Sequence, residues 1–162
     1  LESDPKTMSY NAGYKVMYNG YHYDTGCIDF PKEKWQEVQN RRIKENRYFA
    51  YIKDKDLNKY VGYVNYQYDK DEDIYNCGIL IEDKYRGKGY SKPALKLLIK
   101  EANKNNIKYL YDTFEKSREK ALKLFLDVGF EIYEKTTGNK FNKEVECIII
   151  RIDTNKITNN TD

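Results

Sequence analysis

Hydrophobic and polar positions change period several times along this chain, and each change marks an element. From Trp35 the apolar positions Trp35, Val38 and Ile43 recur at helical spacing, with Asp29 as a cap and Pro31 in the first turn, so a helix is expected to about Asn46. RYFAYI (Arg47–Ile52), KYVGYVNYQY (Lys59–Tyr68) and IYNCGILI (Ile74–Ile81) are rich in β-branched and aromatic residues. The polar runs Asp54–Asn58 and Asp69–Asp73 separate them, which makes an antiparallel meander. A second helical stripe, Ala94, Leu95, Leu98 and Ala102, runs from near Ser91 to Asn105.

YLYDTF (Tyr109–Phe114) then reads as a short strand. Ser117 is expected to cap a helix carrying Ala121, Leu124, Phe125 and Val128 on one face, closed by Gly129 and Phe130. EIYEK and EVECIIIRI form a terminal strand pair around a turn at Thr137-Gly138-Asn139, and residues 153–162 read as a frayed tail. Residues 1–28 have no clean periodicity; Gly13, Gly20 and Gly26 punctuate an irregular segment.

With 162 residues and neither repeat nor linker, one domain over 1–162 is expected. The net charge of +3 is small for a chain that neutralises nucleic-acid phosphates, so no nucleic-acid partner is expected. No apolar run reaches the roughly 20 residues that span a bilayer, which argues against a membrane partner. Cys27, Cys77 and Cys147 are scattered and odd in number, and His22 is the single histidine. A reduced, cytoplasmic protein without a metal is the expectation, and a Ser-His-Asp machine is disfavoured. The abundance of tyrosine, 17 in all, follows a general bias toward Lys, Asn, Tyr and Ile and is weak evidence for an aromatic platform.

The densest chemistry is Arg86-Gly87-Lys88-Gly89-Tyr90-Ser91, between the strand ending at Ile81 and the helix starting near Ser91. A helix N-terminus has unpaired N–H groups and the positive end of the dipole, and two glycines let the backbone curl around an anion. P-loop spacing is absent, and the dinucleotide fingerprint would need glycine where Lys92 stands.

A meander, an Arg-Gly-Lys-Gly turn, an amphipathic helix, a strand, a helix ending in Gly-Phe and a final hairpin resemble the GNAT family, the GCN5-related N-acetyltransferases. The family's [RQ]-x-x-G-x-[GA] signature is matched by Arg86-x-x-Gly89-x-Ser91, and ALKLFLDVGFE (Ala121–Glu131) is similar to its penultimate helix and Gly-Phe turn. The resemblance covers about Asn46 to Ile152. It implies an α+β fold in αβα layers, with a central mixed, mostly antiparallel sheet of about six to seven strands flanked by helices.

The resemblance further implies that Arg86, Gly87, Lys88, Gly89, Tyr90, Ser91 and Lys92 grip the pyrophosphate of acetyl-CoA, and that the backbone of Ile79, Leu80 and Ile81 meets its pantetheine arm where two central strands part. The implied reaction is direct acetyl transfer to an amine of a small molecule or peptide in a ternary complex. Asp73, Glu82 and Asp112 are the candidate catalytic acids and bases. Each has a plainer reading: a solvated hairpin for Asp73, a position outside the strand for Glu82, a salt-bridged edge for Asp112. Tyr10, Tyr14 and Tyr21 are the candidate acceptor contacts, alongside Asn11, Tyr18 and Tyr23.

Three departures stand out. The family's common tyrosine acid falls at Phe125, which has no proton to give, and its usual asparagine at Arg118. The family's first strand and helix are not evident before Lys15, so a start that is truncated or shortened is expected. A coenzyme-A-binding module without turnover is therefore the second reading. The state is expected to be monomer or homodimer, with Cys147–Ile152 as a possible pairing edge.

Overall fold

The computed structural model describes residues 1–158. A short helix α1 (Pro5–Met8) and an irregular segment precede α2 (Trp35–Lys44), and the meander follows as β1 (Tyr48–Asp54), β2 (Lys59–Asp69) and β3 (Ile74–Ile81). Next come α3 (Ser91–Lys104), β4 (Tyr109–Glu115), α4 (Glu119–Val128), β5 (Glu131–Lys140), β6 (Lys143–Asp153) and a last short helix α5 (Asn155–Thr158). The sheet has six strands in the order β1-β2-β3-β4-β6-β5, antiparallel except for β3 beside β4. This is the mixed α+β architecture expected.

The core lies between the sheet and α3 with α4. Leu95, Leu98, Ile99 and Ala102 of α3 are all within 1% of full burial. They pack on Val64, Cys77, Leu110, Phe114, Ile148, Ile150 and Ile152 from four strands. Helix α4 ends as expected: Phe130 N–H donates to the Phe125 carbonyl at 3.0 Å and Gly129 N–H to that of Leu126 at 3.0 Å. The Phe125 and Phe130 rings close edge to face over that turn at 5.0 Å. Gly129 supplies the φ of 120° that an L side chain resists.

Three expectations about caps and turns need correction. Asp29 does not cap α2, because its carboxylate meets Nε2 of His22 at 3.0 Å; a 3₁₀ turn over Lys32–Lys34 opens the helix instead. Ser117 does not cap α4, since its hydroxyl donates to Glu115 Oε2 at 3.1 Å. The terminal hairpin turns at Phe141-Asn142, with φ of 48° and 60°, the left-handed pair of a type I′ turn. Thr137, Gly138 and Asn139 are strand residues opposite Glu146, Val145 and Glu144. Gly138 is there for closeness, as a Cβ would come within 3.2 Å of Cys147 Sγ.

The tail begins docked. Thr154 is fully buried and donates to the Ile107 carbonyl at 2.6 Å. Residues 159–162 of the expected tail lie outside the described residues. Cys147–Ile152 is no free edge, because β6 is paired on both sides, by β4 and β5. No helix among the described residues is long and apolar enough to cross a membrane. The three cysteines are buried and free.

Candidate functional site

Strands β3 and β4 run parallel but share a single paired position, Asn76 with Tyr111. Beyond it they separate, so Gly78–Ile81 and Asp112–Glu115 line a wedge that opens toward the carboxyl ends of both strands. On their outer sides both strands stay laddered, β3 to β2 and β4 to β6. The main-chain groups of Ile79 and Ile81 therefore face the wedge without a strand partner, the Ile81 carbonyl accepting from Arg86, while those of Leu80 between them turn to β2.

The turn from β3 to α3 stands at the mouth of this wedge. Gly87 and Gly89 hold φ of 72° and 86°, and nothing lies within 4 Å of where a Cβ would project from either. Among the described residues, no main-chain N–H from Gly87 to Lys92 donates to a protein acceptor. Those groups, at the positive end of α3, are what an anion requires.

The side chains of the turn are otherwise engaged. Arg86 points inward: Nε donates to the Ile81 carbonyl at 3.1 Å, Nη2 to the Thr7 carbonyl at 2.8 Å, and Nη1 stands 3.6 Å from Asp83. Tyr90 donates its hydroxyl to Asp54 at 2.5 Å, and Lys92 pairs with Asp127 at 3.0 Å. Ser91 opens α3 as its first residue. Lys88 keeps its ammonium over an aromatic face, 5.7 Å from the Tyr85 ring, with no acidic partner among the described residues. The cradle is thus mainly backbone.

The candidate acids and bases separate cleanly. Asp73 sits in the β2–β3 turn, exposed, accepting from the Tyr68 hydroxyl at 2.5 Å. That is the closed end of the wedge, about 25 Å from Ile81 at roughly 3.3 Å per residue. Glu82 follows β3 at the mouth, with its carboxylate 2.8 Å from Lys84 Nζ. Asp112 is the residue just past the last β3–β4 pairing, on the same face as the core residues Leu110 and Phe114. It is half-buried and has no ion pair within 4 Å among the described residues.

Burial pushes the Asp112 carboxyl up to about 7, against the pull of the Thr113 N–H at 2.8 Å and the Arg118 charge. Burial also holds the Cys77 thiol well above its ordinary value, and Asp112 adds to that. The phenol of Tyr10 is raised by burial first, and Arg118 opposes it. Asp112, Arg118 and Tyr10 therefore sense one another at the floor of the wedge.

The irregular N-terminal segment covers the face opposite α3. Tyr10 lies under the Arg118 guanidinium at 4.9 Å, but Tyr14 and Tyr21 are tied down. Tyr14 donates to Glu115 Oε1 at 2.7 Å and Tyr21 to the Asn11 carbonyl at 2.7 Å. Asn11 in turn donates to the Gly26 carbonyl at 3.1 Å. Tyr18 and Tyr23 pack edge to face on Tyr21 and Phe141. Of the three tyrosines named as acceptor contacts, Tyr10 lies by Arg118, Tyr14 is tied to Glu115 at the wedge wall, and Tyr21 is tied within its own segment.

On the same face, over β1, a cavity of about 510 Å³ is lined by Glu2, Phe30, Trp35, Arg42 and Tyr51 among others. No signal in the local pattern marks it, because its walls come from three separated segments. Phe125, at the family's tyrosine position, is only 3% exposed and stacks between Phe114 and Phe130. No group of acidic, cysteine or histidine side chains among the described residues could hold a metal ion.

A six-stranded sheet parted between two parallel strands, with a glycine-rich helix N-terminus at the opening, defines a GNAT-type acyltransferase fold. The chain belongs to the Acetyltransferase (GNAT) family, whose model matches residues 15–130. Its fold is similar to that of spermidine N-acetyltransferase from Vibrio cholerae in complex with CoA and spermine. The TM-score is 0.75 at 15% identity, over 98% of this chain and 88% of that one. It is also similar to ribosomal-protein-alanine N-acetyltransferase from Brucella melitensis, at TM-score 0.67 and 18% identity over 76% and 79% of the two chains. A Salmonella typhimurium acetyltransferase structure with its cofactor acetyl-CoA matches at 0.67 and 14% over 83% and 78%. No curated protein sequence matches the chain significantly.

Proposed function

We propose that the chain is an acetyl-CoA-dependent N-acetyltransferase that acetylates an amine of a small molecule or peptide by direct transfer in a ternary complex. The observation that carries this reading is the open wedge between β3 and β4, with unpaired N–H groups at its mouth and a titratable carboxyl at its floor. The main-chain N–H groups from Gly87 to Lys92 hold the diphosphate, with Lys88 adding charge. The inner backbone edge of Ile79 and Ile81, on either side of Leu80, meets the amides of the pantetheine arm. Acetyl-CoA, when bound, supplies a thioester that the neutral amine attacks, giving an amide and free thiol.

An alkyl ammonium has a pKa of about 10.4, so a group in the site must take its proton near neutral pH. Asp112 carries that role: held near 7, it is ionised over much of the physiological range and still basic enough to be useful. Asp73 lies at the wrong end of β3 and Glu82 is spent on Lys84, so neither competes. Arg86 supports the turn from behind and does not touch the anion. Residues 1–28 form the acceptor side, with Tyr10 at the wedge.

A second reading, a module that keeps coenzyme A without turnover, draws on Phe125, which leaves the family's tyrosine position on α4 without a proton for the departing thiolate. That thiolate has a conjugate acid near 8.5 and can leave unaided, so the lack is tolerable. Calorimetry with acetyl-CoA followed by thiol-release assays on a panel of amines decides between them. Micromolar binding with release is expected. Binding without release on any amine establishes the module, and no binding removes both readings.

A further inference from the structure

Two arginines on the acceptor face, Arg42 and Arg118, are held over aromatic rings without a carboxylate. Arg42, on α2, lies 3.9 Å from the Phe49 ring centroid and 5.7 Å from that of Phe30. Arg118, at the start of α4, lies 4.9 Å from the Tyr10 ring and 5.5 Å from that of Phe114. Both are half-buried, and among the described residues no acidic group comes within 4 Å of either. Nearly every other acidic–basic contact near this face is paired: Glu115 with Lys140, Asp29 with His22, Glu82 with Lys84.

Between the two guanidiniums runs a floor of aromatic rings. Phe49 packs on Tyr63 with centroids 4.5 Å apart, and Tyr63 and Tyr10 both pack on the cluster around Leu80. Burial raises the Tyr63 phenol above its ordinary value, Tyr10 and Glu2 push it the same way, and Arg42 opposes them. The floor therefore leads from the wedge, two strands across, to the cavity over β1. At about 4.8 Å per strand the span is roughly 12 Å.

We propose that this floor is the acceptor subsite and that it takes a short peptide or peptide-sized amine bearing a carboxylate, with the amine at the wedge and the carboxylate on Arg42. The inference rests on the acetyltransferase reading above. A guanidinium stacked on an aromatic ring and lacking an acidic partner is prepared for a bidentate anion. A tripeptide at roughly 3.3–3.6 Å per residue matches the span. Arg118 beside the wedge disfavours a second positive charge close to the reacting amine, so a polyamine is a poor fit. Glu2 is the one carboxylate among the described residues that line the cavity, and it forms no ion pair with Arg42.

The test uses the full chain saturated with coenzyme A and matched ligands: a tripeptide with a free C-terminal carboxylate, the same tripeptide as its amide, and spermidine. Calorimetry is expected to give at least about tenfold tighter binding of the carboxylate form than of the amide, with spermidine weakest. Arg42→Gln is expected to bring the carboxylate-to-amide ratio close to one, while Arg41→Gln on the exposed side of the same helix leaves the ratio as it was. Circular dichroism of Arg42→Gln separates a lost contact from a lost fold. Equal binding of the two tripeptides, or preference for spermidine, overturns the proposal. So does an Arg42→Gln effect confined to coenzyme A affinity. Failure of coenzyme A itself to bind would instead strike the underlying reading, and that is visible in the first titration.

Discussion

Nη2 of Arg86 donates to the main-chain carbonyl of Thr7 across 2.8 Å, joining segments 79 residues apart. The Thr7 hydroxyl completes the joint, donating to Asp4 Oδ2 at 2.6 Å and accepting from the Asp83 N–H at 3.0 Å. The anion-binding turn and the acceptor-side segment are thus fastened to each other, and a signature arginine serves as the bolt.

Breaking the joint should cost stability before it costs cofactor affinity. Thr7→Val removes a fully buried hydroxyl and leaves the Asp83 N–H unpaired, a loss of about 1–3 kcal/mol in chemical denaturation. Arg86→Ala loses two charge-assisted bonds to carbonyls and should fall by a similar amount, and Arg86→Lys should not restore it because one ammonium cannot span both oxygens. A fall in acetyl-CoA affinity for Arg86→Ala larger than tenfold, without loss of stability, would put the guanidinium on the anion after all.

The glycine cradle gives a sharper separation. Gly89 holds φ of 86° with open space around it, so Gly89→Ala meets no clash and pays only backbone strain of about 1–2 kcal/mol. Gly89→Asp pays the same strain and adds a negative charge at the helix N-terminus. Acetyl-CoA affinity by calorimetry should therefore drop at least about tenfold more for Asp than for Ala. Equal affinities for the two variants would mean the diphosphate does not sit there.

Phe125 occupies a core position, and the effect of a hydroxyl there can be tested directly. In Phe125→Tyr the new hydroxyl is forced among Phe114, Phe130 and the rest of an apolar core that offers it no partner among the described residues. A destabilisation of about 1–3 kcal/mol is expected, with no gain in thiol release. A gain in turnover would show that the ring edge borders the wedge and that the tyrosine was merely missing.

The periodic parts of this fold are legible because the sequence repeats them. The meander, the α3 stripe and the Gly129-Phe130 stop each rest on local patterns that the packing then obeys. The hairpin turn escaped because Phe141 is not a turn residue by habit, whereas Gly138 and its neighbours look like one. Only the approach of Cys147 explains that glycine. Side-chain direction at the site is less legible still. Whether Arg86 faces an anion or the protein depends on Thr7, and whether Tyr14 meets a substrate depends on Glu115, both far away along the chain. Arg42 attracts no notice as a charge in a helix, and Arg118 only as a replaced asparagine; their meaning comes from rings on other elements.

The pH dependence of Asp112 tests its placement on two independent observables. Its carboxyl is raised from an ordinary 3.8 to about 7, chiefly by burial, so between those values the folded chain binds a proton that the unfolded chain has released. Stability must then fall as pH rises across that window, and it levels off once both states are ionised. Asp112→Asn removes the proton uptake, so its stability should fall less than that of the parent chain between pH 4 and 7. At pH 8 the variant should be the more stable of the two, since it no longer ionises a group facing Cys77 at the closed end of a buried wedge. Catalysis runs the other way. A base must be ionised to work, so kcat/KM of the parent chain should rise through about pH 7, and Asp112→Asn should lose that limb together with most of the rate. A variant that gains stability at pH 8 and loses activity carries both signatures of a carboxyl kept under strain for its chemistry. One that gains stability and keeps its activity makes Asp112 a buried acid with no part in proton transfer, and moves the search for the base to Glu82 at the mouth.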